Sequence, residues 1–330
     1  MPLDHPQHWR RQTGPTVTDP QPDFRPPPGT AVTLAPGLQR VLAPNPSPMT
    51  FRGTNTYLLG TDEIAVIDPG PQDDTHLEAI LAAVPSLARI THILVTHAHI
   101  DHSPLAKHLS EETKAPVYAF GPATAGRSPL MERLADQGLL GGGEGVDTEF
   151  APDETLKDGS EIRGEGWTLT ALHTPGHMAN HMAFAWGQSL FCGDLVMGWA
   201  SSLVSPPDGD LGAFMASLRR LQRFDWTAFH PGHGAPIDNP IDRLTELLTH
   251  RQARAAAIHS ALQDGPATAA DLARRIYTDT PKALLPAAER NVLAHLIEMT
   301  ETSQAKPETE LSATSRFRLL ENLDSNPQNS

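Results

Sequence analysis

The 330-residue sequence has one cysteine, Cys192, so an intrachain disulfide is excluded. That scarcity fits a reducing compartment. No run of about eighteen or more apolar residues is present, which argues against a membrane-spanning helix. The N-terminal stretch MPLDHPQHWRRQTGP lacks the apolar core of a secretory signal, so a cytoplasmic location is expected. Basic residues are also short: 25 Lys and Arg face 39 Asp and Glu, for a formal net charge of −14. Such an excess repels polyanions and disfavours nucleic acid as the main partner. A chain of this length holds one large domain, or a large and a small one.

What is present reads as alternating strands and helices. Residues 1–30 are proline-rich, with RPPP at Arg25 to Pro28, and read as an extended arm that buries little. From Val32, VTLAPGLQRVLAP alternates like paired strands, followed by the apolar runs TNTYLLG and EIAVIDPG. DDTHLEAILAAV has helical spacing, with Leu77, Ile80, Leu81 and Val84 on one face. A short buried strand, Ile93 to Val95, precedes a helix expected over Pro104 to Glu112, with Ser103 as its cap. APVYAF is a further strand. Gly138 to Gly145 is glycine-rich, lacks the Lys-Ser/Thr of a phosphate loop, and reads as a mobile loop. Three strands follow, in WTLTALHTPGH, HMAFAWG and SLFCGD, then an amphipathic helix, a strand in WTAFHPGHG, and a long helix from Asn239. After Gly265-Pro266 the composition shifts to a small unit read as helix, helix, strand.

The chemistry concentrates in THAHIDHS, Thr96 to Ser103, which places three histidines and an aspartate between His97 and His102. His97 and His99 are two apart, so in an extended segment they point the same way. With a third imidazole they make a three-histidine zinc site, with Zn–N near roughly 2.0–2.1 Å and an open fourth position. Asp101 and His102 point elsewhere and can serve a second ion, and a carboxylate between two ions about 3.5–4 Å apart could bridge them. The missing ligands recur where later strands end in glycine-bounded turns: His177 in TPGH, Asp194 in FCGD, and His230 and His233 in HPGHG. The PGHG frame favours His233 over His230, leaving His230 a strand-end structural residue. His173 reads as a satisfied core histidine. His181 could touch substrate or support a ligand. Asp68 could hydrogen-bond the outer nitrogen of a ligand histidine or serve as a turn aspartate. Cys192 reads as a small buried strand residue, and Arg219, Arg220 and Arg223 as a solvated helix face. His5, His8, His76, His92, His108, His250, His259 and His295 show no ligand spacing and read as surface or packing residues.

HAHIDH resembles the HxHxDH signature of the metallo-β-lactamase superfamily, and TPGH, GD and PGHG resemble its later metal motifs in the same order. GTNTYLLG and IDPG look like its N-terminal strands, so the resemblance covers about residues 32–261. It implies an α/β fold, the αββα sandwich, over 31–262. Residues 263–321 resemble the winged-helix appendage of one branch, whose members include endoribonucleases, and 322–330 remain as a tail. The resemblance implies that His97, His99 and His177 hold a first zinc and Asp101, His102 and His233 a second, with Asp194 bridging and Asp101 orienting the hydroxide. Two departures are Ser103-Pro104, where relatives often have glycine, and Cys192, where Ser or Thr is common before Gly-Asp.

The function implied is hydrolysis by a hydroxide formed on the zinc pair, attacking a small ester, thioester or related acyl substrate. Typical glutathione-binding C-terminal helices are not evident. Winged-helix endoribonuclease activity is supported by domain order and opposed by charge. Mononuclear iron oxidoreduction in sulfur metabolism is a further alternative, decided by metal analysis. An exported β-lactamase is disfavoured without a signal segment. The winged unit could also be a partner or homodimer module.

Overall fold

The computed structural model describes residues 19–142 and 145–320. Strands β1 (Val32–Ala35), β2 (Leu38–Leu42), β3 (Asn55–Leu59) and β4 (Ile64–Ile67) form an antiparallel ribbon. Helix α1 (Asp74–Ala82) leads to β5 (Ile90–Leu94), α2 (Leu105–Thr113) to β6 (Val117–Ala119), and α3 (Pro129–Asp136) to β7 (Glu154–Thr155). These three strands run parallel and complete a seven-stranded sheet ordered β1 to β7. The second sheet contains β8 (Glu161–Gly164), β9 (Trp167–His173), β10 (Met182–Trp186) and β11 (Ser189–Gly193). Helix α4 (Leu211–Leu221) then crosses to β12 (Ala228–Pro231), which pairs parallel to β11, giving the order β12-β11-β10-β9-β8. Helix α5 (Pro240–Gln263) follows, and α6 (Ala269–Ile276), α7 (Leu285–Glu301) and the hairpin β13 (Ala305–Pro307) and β14 (Phe317–Leu319) end the described chain.

The period-two alternation of the strands decides the layering. In β3 and β4, Tyr57, Leu59, Ala65 and Ile67 face the second sheet, where Leu169, Ala171, Phe184 and Phe191 meet them. Leu58, Ile64 and Val66 point the other way, onto α1 and α2 through Leu77, Ile80, Leu105 and Leu109. On the far side, Leu172, Ala183, Leu190 and Cys192 pack against Phe214 and Leu218 of α4 and Leu244 and Leu247 of α5. The result is an α/β sandwich of four layers, helix–sheet–sheet–helix. Phe184, Phe191, Phe214 and Phe229 are fully buried, and truncating any one to alanine costs roughly 3–5 kcal/mol.

The C-terminal unit has its own core, built around Leu272, Val292, Leu296 and Phe317. Its first helix is fixed by a capping box: Thr268 accepts from the Asp271 backbone while Asp271 accepts from that of Thr268. Ile258 and Leu262 from the end of α5, and Met131 and Leu134 from α3, join this core. Packed in this way against both helices, the unit is seated on the sandwich.

Several expectations are corrected. Ser103 does not cap α2: its single hydroxyl proton goes to Asp147 Oδ2 at 2.7 Å, with the His99 carbonyl farther off at 3.2 Å, and the helix starts from Pro104 without a side-chain cap. The described part of the proline-rich arm is docked rather than merely extended. Phe24 is buried, and Arg52 bonds both the Phe24 carbonyl and Asp19. Residues 1–18 and 321–330, with His5, His8 and the tail, lie outside the described residues, as do Gly143 and Glu144 of the glycine-rich loop. The rest of that loop is tied down at both ends, by Arg290 on the Leu140 carbonyl and by the Ile100 N–H on the Gly145 carbonyl. No helix among the described residues is long and apolar enough to cross a membrane.

Candidate metal centre

Five strands deliver their C-terminal turns to one end of the sandwich: β4 gives Asp68, β5 the histidine cluster, β9 His177, β11 Asp194 and β12 His233. Cross-links hold the two sheets in register there. The Met182 N–H donates to the Thr96 carbonyl, the Asn55 N–H to the Gly232 carbonyl, and the Asn55 side chain to the Pro231 and Gly234 carbonyls.

The seven predicted ligands converge in this end. His97 Nε2 lies 2.9 Å from His99 Nδ1, which is 3.0 Å from His177 Nε2. His102 Nε2 lies 3.3 Å from His233 Nε2, and Asp101 Oδ2 is 3.1 Å from the latter. Asp194 faces both groups, with Oδ2 3.3 Å from His233 Nε2 and 3.8 Å from His177 Nε2, and Oδ1 3.5 Å from His102 Nε2. Three sets could each hold an ion: His97–His99–His177, Asp101–His102–His233, and His97–His102–Asp194.

The outer nitrogens explain why the inner ones are available. His177 Nδ1 sits 2.7 Å from the Leu203 carbonyl, and a carbonyl only accepts, so Nδ1 carries the proton and Nε2 the lone pair. The Gly53 carbonyl fixes His233 in the same way, and the Asp68 carboxylate fixes His102 at 2.9 Å. The Thr96 hydroxyl donates to Asp68 at 2.8 Å, which leaves it accepting from His97 Nδ1 at 2.9 Å. Asp68 therefore sets one histidine directly and a second through Thr96, and it also accepts the Thr96 backbone N–H at 2.7 Å.

Lone pairs aimed at one another this closely repel unless a cation or proton lies between them. The side chains are buried, which by itself disfavours charge. Burial and the neighbouring imidazoles hold His97 well below the usual histidine range and His99 at about 3. His177 is also lowered, mainly by burial. In the other half burial is overcome. Asp101, Asp194 and Asp68 push His102 well above its ordinary value, and Asp194 and Asp101 push His233 up to about 10. The same pairing, against burial, keeps Asp101 and Asp194 well below the ordinary carboxylate range. Asp194 Oδ1 is buried without a hydrogen-bond donor. Three neutral imidazoles, two more whose protons are held only by neighbouring carboxylates, and an orphaned carboxylate oxygen make a donor set that fits divalent cations.

Gly232 makes the approach possible. A Cβ there would lie 2.6 Å from His102 Cε1 and closer still to Asp194 Oδ1. Above the cluster is a small cavity of about 30 Å³, room for only a water or two. Met49, Met197 and Leu203 supply its apolar wall, and Gly142, Ser205 and Asp208 the rest. Sequence reasoning did not single out these wall residues: they come from loops whose shape depends on distant packing. Asp208 is paired with Arg127, and Ser205 Oγ is buried without a partner.

The remaining predicted residues sort by position. His181 is fully buried behind His97, with ring centroids 5.2 Å apart and Nδ1 2.9 Å from Thr174 Oγ1, and is not part of the cavity wall. His230 packs between Tyr57 and Phe191. His173 is half-buried, stacked on Phe120 and bonded to the Ala179 carbonyl, rather than in the core. Arg220 is not merely solvated: both its terminal nitrogens bond Asp158. Cys192 is buried, and burial raises its thiol.

Comparison with known proteins agrees with this geometry. The sequence pattern of the metallo-beta-lactamase superfamily matches residues 49–233, and that of the beta-lactamase associated winged helix domain matches 268–310. A beta-lactamase-like protein 2 homolog of Caenorhabditis elegans is 32% identical over 272 residues, covering 78% of this chain and 82% of the relative. An atrochrysone carboxyl ACP thioesterase of Aspergillus fumigatus is 31% identical over 265 residues, 75% of this chain and 76% of its own. Among solved structures, a metallo-beta-lactamase family protein from Thermus thermophilus superposes with a TM-score of 0.69 at 26% identity, over 87% of this chain and all (100%) of that one.

Proposed function

The chain belongs to the metallo-β-lactamase superfamily, with a C-terminal winged helix domain, and from that premise we propose that this metal-dependent hydrolase carries two zinc ions and cleaves a small ester or thioester. The observation that carries the reading is the inward set of ring nitrogens and carboxylate oxygens, with four of the rings fixed by hydrogen bonds on their far side. In this reading His97, His99 and His177 hold one ion, Asp101, His102 and His233 the other, and Asp194 touches both. When bound, such a pair supplies a hydroxide nucleophile near neutral pH and a Lewis acid for the developing oxyanion.

The chain's own residues set the rest. Asp68 and the Leu203 and Gly53 carbonyls hold the imidazoles in the ligating tautomer. Asp101, beside His233 and facing the cavity, would accept a hydrogen bond from the attacking water and so orient it. Met49, Met197 and Leu203 give this water-sized space an apolar wall suited to the carbonyl end of an acyl substrate, and Ser205 adds a polar group beside it. No Lys or Arg is among the described wall residues, so beyond the metal ions themselves the wall offers no cation to grip the flanking phosphates of a nucleic acid. That weighs against the endoribonuclease alternative, and the thioesterase name of the Aspergillus relative weighs for an acyl substrate. A sole, buried cysteine suits the reducing cytoplasm.

The test is metal analysis followed by turnover. Purified protein should take two equivalents of zinc, and the zinc form should release thiol from a short acyl thioester while metal-free protein does not. Equal activity without metal, a single iron with no hydrolysis, or cleavage of RNA or a model phosphodiester in preference to acyl substrates would each overturn the assignment.

A further inference from the structure

The peptide unit joining Leu203 and Val204 stands between the candidate metal centre and the C-terminal domain. Its carbonyl accepts from His177 Nδ1 at 2.7 Å. Its N–H, at the opposite end of the same rigid plane, donates to Asn291 Oδ1 on α7 at 3.1 Å. The same Oδ1 accepts from Arg251 Nη1 of α5 at 2.9 Å. A second nitrogen of that guanidinium, Nη2, donates to the Ser202 carbonyl, one residue upstream of the peptide. The Ser202 hydroxyl in turn holds the Leu195 carbonyl at 3.1 Å, next to Asp194.

Arg251 is only 2% exposed, and among the described residues it has no carboxylate within ion-pair distance. Its nearest support is the Phe214 ring, 5.2 Å from its carbon Cζ. A buried guanidinium is costly unless its donors are all used. Here two of its nitrogens go to the 202–204 segment and to the residue that clamps it, while Nε is buried without a partner, so the two bonds it does make carry its placement. Because Arg251 can only donate, it fixes which way the Asn291 amide faces, with oxygen toward Val204.

We propose that Asn291, oriented by Arg251, is a positioning residue for the metal ligand His177, so that the winged helix domain is a working part of the metal centre rather than an appendage. Holding the N–H end of the peptide fixes where its carbonyl points. Hydrogen bonds through one peptide polarise each other, so the donor to Asn291 strengthens the acceptor for His177. The imidazole is thereby kept in the tautomer and the plane that aim Nε2 at His97 and His99. The inference rests on the metal reading of the His97–His99–His177 set, and it also makes a claim about His177 in the metal-free protein.

The test uses the full chain with Asn291→Leu, which keeps volume and removes the acceptor, and Asn291→Asp, which restores an oxygen. In metal-free wild-type protein the His177 Nδ1 proton should be visible in ¹⁵N-edited NMR spectra and exchange slowly with solvent. N291L should speed that exchange about tenfold or more, and N291D should return it toward wild type. In cobalt(II) titrations against a chelator, N291L should weaken the step assigned to the three-histidine set by roughly 10–100-fold and leave the other step near wild type. Should N291L fail to fold, Asn291→Ala makes the same comparison. Unchanged His177 exchange in a folded variant, equal weakening of both metal steps, or failure of N291D to rescue would overturn the proposal. Failure of wild-type protein to bind metal at all would instead sink the functional reading, with the proton measurement still deciding the role of Asn291.

Discussion

Asp68→Asn removes one charge and changes almost no volume, yet it should disable the metal centre through proton placement. The carboxylate accepts three bonds, from the Thr96 N–H at 2.7 Å, the Thr96 hydroxyl at 2.8 Å and His102 Nδ1 at 2.9 Å. An amide has one oxygen for these donors. If the oxygen stays on the Thr96 N–H, the new NH2 group faces both the hydroxyl and His102. His102 escapes by giving up its Nδ1 proton and keeping the one on Nε2, the atom aimed at His233 and Asp194. The Thr96 hydroxyl then turns toward His97 Nδ1, which drives the His97 proton to its own inner nitrogen. If the amide flips instead, the Thr96 N–H is left buried against a donor, at about 1–3 kcal/mol.

Either arrangement is expected to lower metal affinity by at least the roughly 10–100-fold typical of such outer partners, or about 1.4–2.7 kcal/mol. Competition titration with cobalt(II) measures the affinity, and ¹⁵N shifts of the imidazole nitrogens report the tautomer. An Asp68→Asn protein that binds both ions as wild type does, with His102 still protonated at Nδ1, would refute the argument that this carboxylate sets the ligands.

Gly232→Ala places a methyl against Asp194 and His102, so metal content measured by mass spectrometry should fall to one equivalent or less, whereas full loading would show that the turn can yield. Acid should destabilise the fold through buried neutral histidines outside the cluster. Burial holds His76 and His230 at about 4 and His295 at about 3, against 6.5 unfolded. Between those values the unfolded chain binds more protons, so stability present above pH 6.5 is lost as pH falls toward 4, by roughly 1–3 kcal/mol per group. Denaturant unfolding across that range checks it, and a flat profile from pH 7 to 4 would contradict the burial. Native Cys192 should resist a thiol reagent that reacts at once after unfolding, since it is enclosed and its thiol is raised.

The parts of this molecule that can be read from sequence are those where one residue type has one plausible use. TNTYLLG and EIAVIDPG are legible as strands because each is a short apolar run, the second closed by a turn signal, whereas the facing of Tyr57, Leu59, Ala65 and Ile67 toward the second sheet emerges only from the sheet packing. His and Asp in glycine-bounded turns after strands were legible for a similar reason. β8 was missed because Glu161–Gly164 carries a single buried apolar residue, Ile162, and is a strand only by pairing with β9. α3 was missed beside the glycine-rich loop, although Ser128 caps it and Pro129 opens it. Ser103 reads as a cap by type, yet Asp147, 44 residues away, competes for its hydroxyl and wins. Asn291 carries no signal at all: its partner is a backbone N–H 87 residues earlier, reached only after α5 has folded back.

The two halves of the cluster also differ in a way that no ligand count reveals. His97, His99 and His177 are kept neutral, so an ion entering there meets three ready lone pairs and displaces no proton. His102 and His233 keep theirs at neutral pH because Asp101 and Asp194 lie against them, so an ion entering that half must expel them. Protons and cations are thus alternative ways of balancing the same two carboxylates. Under the two-ion reading, the three-histidine half should fill with little dependence on pH around neutrality. The carboxylate half should bind more tightly as pH rises toward the His233 value of about 10, with proton release on loading.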